Sequence, residues 1–288
     1  MTSNQIYPKT PINQIFYHSS TSMNELNDES VDLIITSPPY FNIKDYSQDK
    51  SNKAQDFATF INYNEFIQGL LVVWKECFRV LKPNGKLCIN VPLMPIPKKH
   101  LNTHYNRHIY DLQSDIQHSI LHNIEFYLYD LYIWNRLYQT KDLMFGSYPY
   151  PKNFYSQNTS EFITIYVKDG KAEKDISNTI KEQSKLTQKE WLTYTKHIWD
   201  IEPPNKSDEA WQRHPAIMPK EIPYRLIKMF SFVGDIVLDC FAGSGTTLKV
   251  ARELKRNFVG YELYEHYKSI IEKKIQYVPS LFETKGEF

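Results

Sequence analysis

Apolar and polar positions along this chain switch between two periods. Val31-Asp-Leu-Ile-Ile-Thr36 is a continuous apolar run of strand length, and Gln14-Ile-Phe-Tyr-His18 before it reads as a shorter strand. From Tyr63 to Leu81 the residues Phe66, Leu70, Val73, Trp74, Cys77, Phe78 and Leu81 recur at helical spacing. Pro83-Asn-Gly85 stops that helix, and Lys86-Leu-Cys-Ile-Asn-Val91 returns as a strand. The same alternation predicts a helix over 109–122 and strands over 126–135 and 161–167. Further on, Ile222, Leu226, Ile227 and Phe230 share one face of a helix over 219–230. The strand Ile236–Asp239, a glycine turn, a helix over 246–254 and a strand over 257–262 complete the pattern. Strands alternating with helices predict one α/β domain spanning 1–288 around a parallel sheet.

Three stretches break this rhythm. Residues 41–62, including Lys44, are polar and aperiodic, a loop of a length that is usually functional or mobile. Residues 92–108 are irregular and basic, with Lys98, Lys99, His100, His104, Arg107 and His108; they suit either a nucleic-acid backbone or plain solvation. Lys168 to His197 is the most polar, lysine-rich part, helical around 187–195 and without a sheet strand. Its bland reading is a solvated helical insert.

Composition narrows the class. At 288 residues and 41% hydrophobic, the chain can bury one good core. A net charge of +1 means that any nucleic-acid surface must arise from uneven charge distribution. Cys77, Cys88 and Cys240 are far apart, with no CxxC, which fits a reducing cytoplasm and offers no metal site. No apolar signal segment opens the chain and no run reaches membrane-spanning length, so a soluble, cytoplasmic protein is expected.

Chemistry concentrates at two strand tips. Thr36-Ser-Pro-Pro-Tyr40 ends the apolar run 31–36 with a hydroxyl, two rigid prolines and an aromatic face. Pro38 and Pro39 lack N–H groups and fix φ, which holds the carbonyls of Ser37 and Pro38 outward as acceptors. A planar base with an exocyclic –NH2 needs such acceptors and a ring to stack on. At the second tip, Asp239 runs into Cys240-Phe-Ala-Gly-Ser-Gly245 and then Thr246, a strand–turn–helix whose glycines let a ligand approach the backbone. Glu262 ends the following strand, where an acid suits a ribose diol. No Gly-Lys-Ser/Thr follows the turn and the third glycine of a dinucleotide fingerprint is missing. Each motif taken alone also reads as a structural turn.

Together, Ser37-Pro-Pro-Tyr40 and Asp239-Cys-Phe-Ala-Gly-Ser-Gly245 resemble the amino-group DNA methyltransferases that use S-adenosylmethionine. The catalytic motif precedes the cofactor motif, which resembles the permuted β-type order. Matching segments include 78–90, Ile133-Trp-Asn-Arg136, 145–151 and Arg213-His-Pro-Ala-Ile-Met-Pro-Lys220. The resemblance implies a Rossmann-like methyltransferase sheet with circularly permuted motif order and a small recognition insert, here 168–198. It implies catalysis by Ser37, Pro38, Pro39 and Tyr40, and cofactor binding by Asp239, Phe241, Gly243, Ser244, Gly245, Thr246 and Glu262. Residues 213–215 and the helix over 219–230 would cover the methionine end of the cofactor. Lys44, Lys98, Lys99 and Arg107 become DNA-contact candidates, with 41–62 as a DNA-contacting loop. Many relatives carry an acid just after the first strand, near the adenine; this chain has His18-Ser19 there. Double-stranded DNA is the implied partner, with a cognate restriction endonuclease and a second copy of the chain as further candidates.

In this family Ser at position 37 accompanies cytosine N4 methylation and Asp accompanies adenine N6, so cytosine is favoured with adenine as the alternative. Carbon-5 methylation needs a cysteine after a proline, and zinc deamination needs His-x-Glu with Pro-Cys-x-x-Cys; neither pattern occurs. An RNA or protein methyltransferase, a non-catalytic nucleic-acid-binding subunit and an unrelated dehydrogenase stay as rival classes.

Overall fold

The apolar runs at 31–36 and 236–239 lie side by side at the centre of the molecule. The computed structural model describes residues 10–41, 56–57, 62–96, 104, 107–137 and 144–276. In chain order these form β1 (Gln14–Phe16), β2 (Val31–Thr36), α1 (Tyr63–Val80), β3 (Leu81–Pro92), β4 (Met94–Ile96), β5 (His108–Tyr110) and α2 (Leu112–Asn123). Next come β6 (Phe126–Arg136), β7 (Ser160–Lys168), α3 (Asn178–Gln183), α4 (Gln188–Tyr194) and β8 (Ile198–Ile201). The last elements are α5 (Glu221–Phe230), β9 (Ile236–Asp239), α6 (Thr246–Glu253), β10 (Asn257–Tyr261) and α7 (Lys268–Gln276).

Eight strands form one sheet in the order β1-β10-β9-β2-β3-β7-β6-β8, and β4 pairs with β5 as a separate ribbon. From β2 the chain crosses through α1 to β3 on one side. From β9 it crosses through α6 to β10 on the other. Neighbouring parallel strands that depart in opposite directions leave a crevice beyond their carboxyl ends, the usual ligand position in such sheets.

The sheet is mixed rather than parallel throughout. β7 runs antiparallel to both β3 and β6, whereas β8 is parallel to β6. The reason lies in the connections: among the described residues no helix lies between β6 and β7, and the chain turns back on itself instead of crossing over. β3 also starts earlier than its apolar run suggests. Leu81 already pairs with Val31, and Leu33 next pairs with Lys86, so Pro83-Asn-Gly85 forms an irregularity inside the strand.

Helices cover both faces. α1 opens with Asn62 accepting from the Asn64 amide at 2.8 Å, and it buries Phe66, Leu70, Val73, Trp74 and Cys77 against the sheet together with α2. On the opposite face Ile222, Leu226 and Ile227 of α5 pack with Leu248 of α6 and Ile271 of α7. Fully burying such an aliphatic side chain contributes about 1.5–3 kcal/mol, so packing on both faces holds the sheet in place.

Segment 168–198 lies away from the crevice. Lys168 ends β7 at the opposite end of the sheet, and α4 settles on α5. Tyr194 is buried beneath Arg225, whose guanidinium carbon is 5.3 Å from its ring, and Glu190 pairs with Lys228. Lys168 itself is buried and donates to the carbonyls of Phe78 and Leu81 at 3.0 and 2.8 Å. Those carbonyls end α1 and lack helical partners, so a sheet lysine caps the helix. Lys168→Met keeps the stem and removes the donors; it should lower unfolding free energy by about 1–3 kcal/mol in urea titration. An unchanged midpoint would contradict the capping role.

Candidate active site

β2 and β9 finish next to each other, and a buried bond joins their tips. Thr36 Oγ1 donates to Asp239 Oδ1 at 2.7 Å, and the same oxygen accepts the Phe241 amide at 3.1 Å. Burial pushes the Asp239 carboxyl up to about 6 against these bonds. Beyond the joined tips opens a cleft of about 310 Å³, at the small end of the roughly 300–1,000 Å³ typical of ligand sites.

Ser37, Pro38, Pro39 and Tyr40 all line this cleft. Ser37 Oγ donates to the Asn90 carbonyl at 2.9 Å and stands 3.4 Å from the Tyr40 hydroxyl. Its one proton is thereby committed to β3, and its lone pairs are left as acceptors. Tyr40 packs its ring against the α1 face of the core.

The glycine turn forms the other wall. Gly243 has φ +53°, and a Cβ there would stand 3.0 Å from His214 Nε2. Phe241, Gly243, Ser244 and Thr246 line the cleft. Gly245, at φ +81°, caps α6 and packs on Ile271; it lies outside the lining and shapes the turn. Buried Lys274 donates to the Ser244 and Thr246 hydroxyls, each at 3.2 Å, and pairs with Asp208 at 2.8 Å. Glu262 accepts the Gly243 amide at 2.8 Å and the Tyr264 amide at 2.9 Å. Burial, reinforced by Asp239 and Asp56, pushes its carboxyl up to about 8.

Several lining residues were not predicted as site residues from the sequence. Asp56 and Phe57 reach the cleft, Asp56 accepting from the Tyr264 hydroxyl at 2.5 Å. His18, Ser19 and Ser20 follow β1 onto the same wall, and buried Ser20 Oγ has no hydrogen-bond partner among the described residues. Asn90, Trp134, Arg136 and Glu161 close the far side. A signal for these was present: Asn90 interrupts a buried apolar strand and Glu161 opens another. His214 and Pro215 line the cleft, whereas Arg213 and α5 do not. Burial holds the His214 imidazole well below its usual range, at about 4, so it is neutral.

The DNA-contact candidates divide. Lys44, Lys98 and Lys99 lie outside the described residues, as does most of 41–62. Arg107 donates to the Ser156 carbonyl at 2.9 Å and stands 5.5 Å from the Tyr155 ring, bracing the β6–β7 connection. That connection leaves the cleft edge at Arg136, returns at Ser160 and exposes Phe145, Tyr148, Tyr150 and Phe154. No residue of 168–198 lines the cleft. Among the described residues no helix is long and apolar enough to cross a membrane.

Comparison with known proteins is consistent along the chain. The DNA methylase family model for N6 and N4 enzymes matches residues 31–273. Type II methyltransferase M.MjaI of Methanocaldococcus jannaschii is 31% identical over 284 residues, covering 92% of each chain. DNA adenine methyltransferase YhdJ of Escherichia coli is 28% identical, covering 85% of this chain and 76% of its own. Among solved structures, TTHA0409 of Thermus thermophilus complexed with S-adenosyl-L-methionine superposes with TM-score 0.71 at 27% identity, covering 93% of this chain and 95% of that one. PvuII DNA methyltransferase (cytosine-N4-specific) shares the fold, with TM-score 0.66 at 17% identity over 95% and 89% of the two chains.

The raised carboxyls have a stability consequence with a definite sign. The folded protein holds protons on Glu262 and Asp239 that the unfolded chain releases near its ordinary carboxylate values. Their stabilisation is fully present below pH 3.8 for Asp239 and pH 4.5 for Glu262, and is lost as pH rises through about 6 for Asp239 and about 8 for Glu262. Glu262→Gln removes the second loss. Melting temperatures measured from acid to mildly alkaline pH should show the variant gaining on the wild type as pH rises; parallel profiles would contradict the assignment.

Proposed function

Because this chain belongs to the DNA methylase family of N6 and N4 enzymes, we propose that it carries the methyl group of S-adenosylmethionine to the exocyclic amine of a base in DNA, with cytosine N4 as target. One hydrogen bond carries the reading. Ser37 gives its proton to the Asn90 carbonyl, so toward the cleft it acts as an acceptor, the role that an amine with two N–H donors requires.

The glycine wall suits the cofactor. Gly243 leaves room where a Cβ would crowd His214, and Glu262 keeps lone pairs for a ribose diol beyond its two amide bonds. Ser20 offers an unused buried hydroxyl for an adenine edge. Asp239, Phe241, Ser244 and Thr246 would hold the amino-acid portion. When bound, S-adenosylmethionine supplies an electrophilic methyl group on a positively charged sulfonium. Ser37 Oγ and the Pro38 carbonyl accept the amine hydrogens and turn the nitrogen lone pair out of the ring plane. Tyr40 stacks on the base, which leaves the duplex to reach the cleft. The nitrogen would then bond the methyl carbon as the sulfur–methyl bond breaks and the sulfonium leaves as a neutral thioether; the surplus proton, now acidic, would pass to water, and no strong base is required.

Serine at position 37 supports cytosine. Adenine N6 is the second reading, favoured by the E. coli relative named for that base. The exposed rings of Phe145, Tyr148, Tyr150 and Phe154, on the connection that follows Arg136, supply stacking surfaces for displaced bases, which supports a nucleic-acid substrate. The relative named as a Type II methyltransferase supports a role beside a restriction endonuclease.

With mixed-sequence duplex DNA and methyl-labelled S-adenosylmethionine, digestion to nucleosides should place the label in N4-methylcytosine. Label in N6-methyladenine would overturn the choice of base and keep the amine chemistry. No labelled DNA nucleoside, with the cofactor bound, would overturn the DNA reading.

A further inference from the structure

A row of polar side chains continues from Ser37 along the far wall of the cleft. Ser37 Oγ donates to the Asn90 carbonyl at 2.9 Å, Asn90 Nδ2 donates to Glu161 Oε2 at 2.6 Å, and Glu161 Oε1 lies 3.5 Å from Arg136 Nη1. Asn90 and Glu161 are buried, at 4% and 5% exposure. Two atoms of this row are left over. Asn90 Oδ1, an acceptor, and Arg136 Nε, a donor, are buried and have no hydrogen-bond partner among the described residues. Buried polar atoms are rarely left so, because each costs about 1–3 kcal/mol. The other Arg136 nitrogens are committed: Nη2 donates to the Asn158 carbonyl at 2.9 Å and Nη1 faces Glu161. The unused Nε is therefore fixed in direction by the bonds around it.

We propose that Arg136 reads the edge of a flipped cytosine, its Nε donating to the base O2, with Asn90 a positioning residue between Ser37 and Glu161. This deepens the cytosine reading above and rests on it. Cytosine presents an amine, a ring nitrogen and a carbonyl along one edge; adenine presents an amine, a ring nitrogen and a C–H. A base whose amine sits at Ser37 directs its third position along the row toward Arg136. There a carbonyl satisfies the buried N–H, and a C–H leaves it unpaired, so adenine is rejected by the penalty on Arg136 as much as by any lost attraction. Glu161 positions both side chains, one oxygen on Asn90 and the other facing Arg136. Burial pushes its carboxyl up, while Arg136 and Asn90 oppose that shift and favour the carboxylate.

The test uses the full chain and two substrates. In the duplex site that the wild type labels, the target deoxycytidine is replaced by a 2-aminopyridine C-nucleoside, which keeps the amine and ring nitrogen and lacks O2. Wild-type kcat/KM should fall by about 100-fold on the analogue. Arg136→Met should lose a similar factor on cytosine and show no further loss on the analogue, with S-adenosylmethionine affinity unchanged. A purely structural role predicts that the variant keeps the wild-type ratio between the two substrates, and that result would overturn the proposal. If Arg136→Met fails to fold, Arg136→Lys, which keeps charge but lacks Nε, must collapse the same ratio. A wild type that labels no DNA cytosine would overturn the underlying base choice. Labelled cytosine with an unchanged ratio in the variants would overturn the Arg136 assignment alone.

Discussion

The Thr36–Asp239 hydrogen bond, sealing the parallel pairing of β2 with β9, is the constraint on which the site depends. Its partners are 203 residues apart in the chain and 2.7 Å apart in the fold. Ser37 and the turn at Phe241 each follow closely on one of these residues, so the bond sets the spacing between the wall proposed for the base and the wall proposed for the cofactor. Because β2 leads to β3 on one side and β9 to β10 on the other, neither crossover closes the crevice above their tips. The bond is buried, and removing either partner would strand a polar atom in the core.

The two walls differ in electrostatic character. The cofactor wall holds Asp56, Asp239 and Glu262 close together, with Asp239 and Glu262 pushed toward protonation by burial. A positively charged ligand would restore their ionised forms, and a sulfonium with an ammonium group provides that charge. The base wall begins with neutral Ser37 and continues through Asn90 to the facing Glu161 and Arg136. A neutral heterocycle fits such a wall because its recognition needs direction more than charge. Lys274, buried behind Ser244 and Thr246, keeps the glycine turn tied to Asp208 so that the two walls meet in a fixed register.

Much of this was legible where the signal is local. Prolines at 38 and 39, glycines at 243 and 245 and the apolar runs before them define two strand tips without knowledge of their contacts. That they belong to one site came from resemblance, since no local rule reports that β2 lies beside β9. The antiparallel course of β7 was readable in outline, as no helix pattern separates the strands at 126–135 and 161–167, yet alternation elsewhere favoured a parallel sheet. Asn90, Arg136 and Glu161 sit on three different strands, and only cross-strand register assembles them. The polar stretch 168–198 stands out by composition, and the fold packs its helix α4 on α5 through Glu190 with Lys228 and Tyr194 with Arg225.

The proposed catalysis depends most directly on Ser37 as an acceptor that serves the base and leaves the cofactor alone. Turnover on duplex DNA and S-adenosylmethionine affinity, measured separately for Ser37→Ala, test it. The account predicts a fall in kcat of about 100-fold with cofactor affinity unchanged. Equal loss of turnover and affinity, or turnover that survives the substitution, would contradict it.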